Sequence, residues 1–190
     1  MGALPREGAF KVVSVNVSRE TGTRKRPVPG IALRIGLGVA GDAHAGLCED
    51  RQVSLLAVEE IEGANARLCP GYGETGRPAA GLSAAAEGGA DARGAAGDPH
   101  GPGAAQVRLV PGDFAENITT AGIALHELPV GTRLEIGGAV LEVSKIGKEC
   151  HASCEIRRLV GDCVMPRKGI FARVLAEGEI SDADSGHYRF

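Results

Sequence analysis

The stretch "FKVVSVNVS" (Phe10 to Ser18) alternates apolar and polar side chains and is rich in valine, so it predicts a strand. "TGTRKRPVPG" follows, with two prolines and the basic triplet Arg24, Lys25 and Arg26. Its ordinary reading is a solvated loop; the sharper one is an anion-contacting loop at the mouth of a site. "IALRIGLGVAGDAHAG" begins as a short strand and becomes glycine-rich. In "RQVSLLAVEEIEGANARL", Val53, Leu55 and Leu56 predict a strand, with Ser54 capping a helix that runs through Glu62 or a little beyond. Further on, "VRLV" reads as a strand, "PGD" as a turn and "NITT" as a short strand. "TRLEIGGAVLEVSKI" reads as a hairpin about Gly137-Gly138, with Thr132, Leu134 and Ile136 on one face. "GIFARVLAEGEI" adds another strand and a glycine turn. Short strands with glycine turns predict a mainly β chain with a few short helices, built as a barrel or sandwich.

One segment breaks the pattern. From about residue 69 to residue 105 the chain is Gly, Ala and Pro with scattered charge and almost no large apolar side chain. Such a stretch buries too little surface to offset its ordering entropy, so it is expected to be a flexible insertion in a single domain spanning residues 1–190.

Composition narrows the class. Apolar residues make up 43% of the chain, enough for a core, while aromatics are 3% and tryptophan is absent, so the core must be aliphatic. A net charge of −3 argues against a general nucleic-acid binder, and any anionic ligand must be met by a local cluster of cations. Arg6, Glu7 and Lys11 interrupt the place where a secretory signal would be apolar, and no stretch approaches the length of a membrane span. Five cysteines is an odd number, and a chain of this length needs no disulfide staples. The expectation is a cytoplasmic protein with reduced thiols.

"KIGKECHASCEIRRLVGDCVMPRKGIFARV" (Lys145 to Val174) holds three of those cysteines. Cys150, Cys154 and Cys163 with His151, joined by the distant His44 and Cys48, contain enough donors for zinc, but their spacing matches no known finger. Taken singly, each cysteine is most simply a small buried apolar group, a reading that fits Cys69 and Cys163 best. Cys150 differs. Lys145, Lys148, Arg157, Arg158, Arg167 and Lys168 surround it in sequence, and positive charge favours the thiolate.

"GVAGDAHAG", "RQVSLL", "PGDFAENITTAGIALHELPVGTRLEIGGAVLEVSKIGKEC" and "MPRKGIFARVLAEGEI", in that order, resemble a MOSC domain, the module found at the C-terminus of molybdenum cofactor sulfurases and as stand-alone bacterial proteins. The resemblance covers nearly the whole chain apart from the Gly/Ala-rich stretch and the last ten residues. It implies a bent β-barrel of MOSC (PK-barrel) type and an association with molybdopterin, the molybdenum cofactor. It also implies a cysteine that carries sulfur as a persulfide or ligates molybdenum directly. On this resemblance Cys150 is the metal-ligating thiol, with Cys154 as the other candidate for the functional position. The cofactor is anionic, so Lys148, Arg157, Arg158, Arg167 and Lys168 are expected to meet its phosphate. Asn117 and Thr119 would hydrogen-bond the pterin or orient the thiolate, and Gly41 and Gly46 would let backbone approach a ligand. Asp42 and His44, on the same turn, are read as cofactor-binding or as ordinary turn-capping groups. The family usually places one cysteine after a basic-Pro pair; "GKECHASCEI" has no proline and two thiols, so one could resolve a persulfide on the other as a disulfide.

The resulting expectation is a protein that binds the cofactor or carries sulfur on a reactive cysteine, or a small molybdenum oxidoreductase. The chain has no ferredoxin-like cysteine series and no dinucleotide fingerprint, so electrons or sulfur would come from a partner protein. Pyridoxal phosphate enters only as a family-level association, because there is no room for a desulfurase domain. The alternatives are a non-enzymatic binding or sensor module for the cofactor or molybdate, and a zinc-stabilised β domain. Homo-oligomerisation stays open.

Overall fold

The computed structural model describes residues 4–68, 108–148 and 163–190. Eleven strands dominate it. Strand β1 (Glu7–Val17) is the alternating segment seen in the sequence. Its apolar positions Phe10, Val12 and Val15 point into the core, and a bulge between Val12 and Ser14 shifts the alternation by one residue, so that Val15 rather than Ser14 turns inward. Strands β2 (Arg26–Val28), β3 (Gly30–Arg34) and β4 (Gly38–Val39) follow, then β5 (Val53–Ala57), helix α1 (Val58–Leu68) and β6 (Ile118–Ala121). Strands β7 (Arg133–Ile136) and β8 (Ala139–Ile146) form a hairpin, and a one-turn helix α2 (Met165–Lys168) precedes β9 (Ile170–Ala176), β10 (Gly178–Ser181) and β11 (Ser185–Arg189). Two short 3-10 turns lie at Glu49–Arg51 and Leu125–Glu127.

The sheet order β11-β7-β8-β9-β5-β6-β1 closes on itself because β11 also pairs with β1, which makes a seven-stranded barrel with β2 added on the outside of β1. Every pairing in the ring is antiparallel except β5–β6. A second, three-stranded sheet of β10, β3 and β4 packs its Ile31, Leu33, Val39 and Ile180 into the barrel's own core. That core is aliphatic, as the composition requires: Val15, Val53, Leu55, Ile118, Leu134, Leu141, Val143 and Ile170 are buried within it.

A second core covers the outer face of β5. Leu56 there meets Ile61 and Ala64 of α1, Phe114, Leu109, Met165 and Cys163. Cys163 is thus packing, in line with its ordinary sequence reading. The hairpin is also as expected: Gly137 (φ 54°) and Gly138 (φ 84°) both take the left-handed conformation that a primed turn demands, and Thr132, Leu134 and Ile136 are buried together.

Several local expectations need correction. Ser54 does not cap a helix; it lies in the middle of β5, and its hydroxyl donates to the Ala115 carbonyl and to Asn117 Oδ1. Helix α1 starts only after the strand ends and runs to Leu68. In "VRLV", Arg108 to Val110 are not a strand: Leu109 is held by paired hydrogen bonds with the Asn65 side chain of α1 (2.8 and 2.9 Å). The basic triplet is not a uniform loop either. Arg26 starts β2 and is exposed, whereas Lys25 is buried.

Candidate functional site

On β1 the polar positions Ser14 and Asn16 alternate with Val15 and so leave the barrel on its outer side. Read from sequence, such positions face solvent. Here they are buried, as are Ser54 and Thr119 on neighbouring strands, because the loop of residues 108–117 folds across them. Their polar atoms pair with one another. Ser14 Oγ donates to Asn16 Oδ1 (2.8 Å), Asn16 Nδ2 donates to Thr119 Oγ1 (3.3 Å), and Thr119 Oγ1 donates to Glu116 Oε1 (2.8 Å). Asn117 bridges three segments: its backbone carbonyl accepts from Asn16 N (2.7 Å), its Oδ1 accepts from Ser54 Oγ (2.9 Å), and its Nδ2 donates to the Asn16 carbonyl and to Asp42 Oδ2 (both 3.2 Å).

Asp42 is the hub. It stands on the turn after β4, with Gly41 before it at φ 79°. Its Oδ2 accepts from the Lys25 ammonium, from Ser18 N (3.1 Å) and from Asn117 Nδ2 (3.2 Å). Its Oδ1 accepts from His44 N (3.0 Å) and His44 Nδ1 (3.2 Å). Five donors saturate one carboxylate. Burial alone would push its carboxyl up, but the bonds from His44 and Lys25 outweigh that and hold it well below the ordinary carboxylate range. Lys25 is the mirror case. Burial pulls its ammonium down and the Asp42 bond only partly restores it. The two side chains are 2% and 1% exposed, so this is a buried ion pair.

Glu116 sits behind Lys25, fully buried. Its Oε1 accepts from Gly112 N (2.6 Å) and Thr119 Oγ1 (2.8 Å), and its Oε2 from Phe114 N (3.2 Å). Burial pushes its carboxyl up to about 7 against those hydrogen bonds. The residue before it, Ala115, is held at φ 63°, a conformation uncommon outside glycine. Gly112, at φ 92°, passes so close to the Lys25 carbonyl that a Cβ would lie 2.4 Å from that oxygen, and its own carbonyl accepts from Lys25 N (2.9 Å). An ion pair between Arg24 and Asp113 (3.6 Å) ties the same two loops again.

Of the residues picked from sequence, Asp42, His44, Asn117 and Thr119 thus belong to one hydrogen-bonded network. Lys148 joins them electrostatically: half-buried just past the end of β8, it is near enough to Lys25 for the two charges to repel. Lys168 is turned elsewhere. Its ammonium meets His126 Nε2 (2.7 Å) and Glu60 (3.5 Å), a separate cluster on α1 and the Leu125–Glu127 turn. Arg167 is exposed on α2. Cys150, Cys154, His151, Arg157 and Arg158 lie outside the described residues, as do Cys69 and the whole Gly/Ala-rich stretch. The zinc reading gains no support from the remainder: Cys48 Sγ accepts from Arg51 Nε (3.4 Å), a bond that lowers the thiol's pKa, and no metal-ligating cluster forms among the described residues. Among the described residues no helix is long and apolar enough to cross a membrane.

Sequence reasoning did not single out Asn16 or Glu116, took Ser54 for a helix cap, and left Lys25 between two readings. The available signal for Asn16 and Ser54 was polar side chains inside otherwise apolar strands; for Glu116, an acid between Phe114 and Asn117 carries no local mark of burial.

The fold has counterparts among solved structures. The YuaD protein of Bacillus subtilis superposes with a TM-score of 0.66 at 15% identity, covering 97% of this chain and 98% of its own. YiiM of Escherichia coli matches at a TM-score of 0.58 and 17% identity, over 96% of this chain and 70% of its own. YiiM of Geobacillus stearothermophilus gives 0.57 and 21%, over 92% and 72%. No curated protein matches the chain significantly. The MOSC domain family model matches residues 40–185, which take in the Asp42–His44 turn, the 108–117 loop and β8. The chain therefore belongs to the MOSC domain family.

Proposed function

We propose that this protein binds a molybdenum–pterin cofactor, or handles sulfur for it, with a thiol of the segment after β8 as the reactive group. The observation that carries this reading is the position of Lys148. It stands near enough to Lys25 for the two charges to repel and two residues before Cys150 in sequence, so a half-buried cation without an ion-pair partner among the described residues closely precedes the thiol.

The chemistry of the donor set fits an anionic ligand. Lys25 balances the charge of Asp42, and burial holds Glu116 up to about 7, so neither carboxyl presents strong net repulsion to an arriving anion. Lys148 would meet the phosphate, and Cys150 or Cys154 would supply the thiolate. When bound, the group supplies a soft metal centre that accepts a thiolate and exchanges sulfur or electrons. The chain's own contribution is rigidity. Asp42 and Asn117 lock the ends of β1, β4 and β5 and the 108–117 loop into one frame, so His44 is held in place before any ligand arrives. Sulfur or electrons come from a partner protein in this reading.

The test is native mass spectrometry of the chain expressed with an intact cofactor pathway. The expected spectrum shows a pterin adduct or the mass of one added sulfur, and Cys150→Ser removes it without loss of thermal stability. An adduct that survives both Cys150→Ser and Cys154→Ser refutes the assignment of the thiol. No adduct in any preparation refutes the reading.

A further inference from the structure

We infer that Lys168, His126 and Glu60 form a proton-operated latch. It fastens α2 to the Leu125–Glu127 turn while Lys168 and His126 share one proton at their contact, and it lets go when the imidazole takes up a second. The latch belongs to the fold and does not depend on what the site around Asp42 binds.

Lys168 Nζ stands 2.7 Å from His126 Nε2. A charged ammonium only donates, and so does each nitrogen of an imidazolium, so a contact of this length requires that one of the two facing nitrogens lack a proton. That holds for either carrier, a charged Lys168 beside a neutral ring or a charged His126 beside a neutral amine. The pair therefore holds one positive charge. Its other partners are already in place at longer range. Nε2 is 3.9 Å from Glu127 Oε1, Nδ1 is 3.9 Å from Glu60 Oε1, and Lys168 Nζ is 3.5 Å from the same Glu60 oxygen. A further proton, taken from solvent onto the free lone pair at the contact, forms an N–H bond and breaks no covalent bond in the protein. Two cations then face each other, and the hydrogen bond between them is lost. The Nε2–H turns to Glu127, the Nδ1–H to Glu60, and Lys168 keeps Glu60. One set of four side chains thus has two pairings, and a single proton chooses between them.

The charged groups on the elements about the ring are Glu59 and Glu60 from α1, Glu127 from its own turn, and Arg167 with Lys168 from α2; β5 and β6 carry no titratable side chain. Glu59 spends its Oε1 on Gly122 N (2.7 Å). The His126 and Glu60 side chains are 19% and 24% exposed, so salt screens the cluster less than it would an open surface. In an ordinary surface ion cluster each cation rests on a carboxylate. Here the nearest partner of Lys168 is a base that itself takes up charge. α2 carries the consequence onward. The carbonyl of Gly169, directly after α2, accepts from Gly147 N (2.7 Å), and the Pro166 carbonyl passes so close to Gly147 that a Cβ there would lie 2.1 Å from that oxygen. Gly147 directly precedes Lys148. The turn held by the latch therefore also fixes the backbone next to Lys148.

The experiment is amide hydrogen exchange by NMR on the full chain at pH 8 and pH 5. It is read at Lys168, Gly169 and Gly147, whose N–H groups donate to the carbonyls of Val164, Met165 and Gly169. His126→Gln keeps an oxygen to which Lys168 can donate and cannot charge, and comparing two proteins at one pH cancels the chemical exchange rate. Protection in wild type and His126→Gln is expected to agree at pH 8. At pH 5 wild type is expected to fall about tenfold below the variant, since imidazoles change charge within this bracket. Lys168→Met removes the donor and keeps an apolar stem. After correction for chemical exchange it is expected to show at both pH values the low protection that wild type reaches at pH 5. Amides of the β1–β11 seam are expected to match in all three proteins, which marks the change as local. A ratio of wild type to His126→Gln that stays flat from pH 8 to pH 5 overturns the latch, as does wild-type protection in Lys168→Met at pH 8. A loss that appears equally in the seam overturns it too, because that reports unfolding of the whole chain.

Discussion

Replacing Glu116 by glutamine tests whether burial or hydrogen bonding governs the carboxyl behind Lys25. Glutamine keeps the shape. Its oxygen can sit where Oε1 accepts from Gly112 N and Thr119 Oγ1, leaving its NH2 to face the Phe114 N–H at the 3.2 Å contact, the longest of the three. That donor–donor meeting costs about 1–3 kcal/mol and does not vary with pH. The wild-type carboxyl does vary. An unfolded glutamate releases its proton near its ordinary value of 4.5, whereas burial pushes the folded group up to about 7. Between those values the folded state binds the extra proton, so stability falls as pH rises, is fully present below 4.5 and is lost once pH passes about 7. The displacement corresponds to on the order of 3 kcal/mol. Asp42 does not confuse the window: its carboxyl is depressed from 3.8, so its contribution is lost only on acidification below that value. Lys25, lowered from 10.5 by burial, adds stability that grows with pH toward its ordinary value; losing the Glu116 charge lowers it further, which acts in the same direction as the expected difference. Urea unfolding followed by far-ultraviolet circular dichroism at pH 5, 6, 7 and 8 gives the free energies. The wild type is expected to lose roughly 2–3 kcal/mol relative to Glu116→Gln between the ends of that series. Parallel curves, or a wild type that gains on the variant toward pH 8, would show that the three donors win over desolvation and that Glu116 is an ordinary carboxylate.

Gly112→Ala places a Cβ 2.4 Å from the Lys25 carbonyl at φ 92° and should cost about 2–4 kcal/mol, a fall in melting temperature of roughly 5–15 °C; a change below about 2 °C would mean that the two loops separate freely. Deleting residues 71–103 should leave the fold intact and change stability by no more than about 1–2 kcal/mol, because Asn65 and Leu109 already pin the two sides of that connection. A deletion product without a cooperative unfolding transition would show that the stretch is structural.

The parts of the fold legible in the sequence are those set by local chemistry. The β7–β8 hairpin declared itself through two adjacent glycines between alternating runs, and β1 through its valines. The parallel pairing of β5 with β6 had no local signature, because it joins strands more than sixty residues apart. Strand β11 was overlooked because, of its inward positions, only Tyr188 is large; Gly186 is the other, and the Phe10 ring fills its place so tightly that a Cβ there would lie 2.2 Å from it. The site divides in the same way. Asp42, His44 and Asn117 were visible as polar residues in turn-like motifs. Asn16 was not, and Lys25 was only one of a basic triplet, since nothing adjacent to them in sequence says that the 108–117 loop will cover one and that Asp42 will neutralise the other. Burial of a polar side chain is decided by what arrives from elsewhere in the chain.

The ring of strands is completed by a seam between Glu7–Lys11 and Ser185–Arg189, more than 170 residues apart in sequence. During synthesis the first strand must therefore wait for more than 170 further residues before this neighbour emerges. Until then two flanks with unsatisfied amides stand open, so the nascent chain is prone to clump until Ser185–Arg189 has emerged.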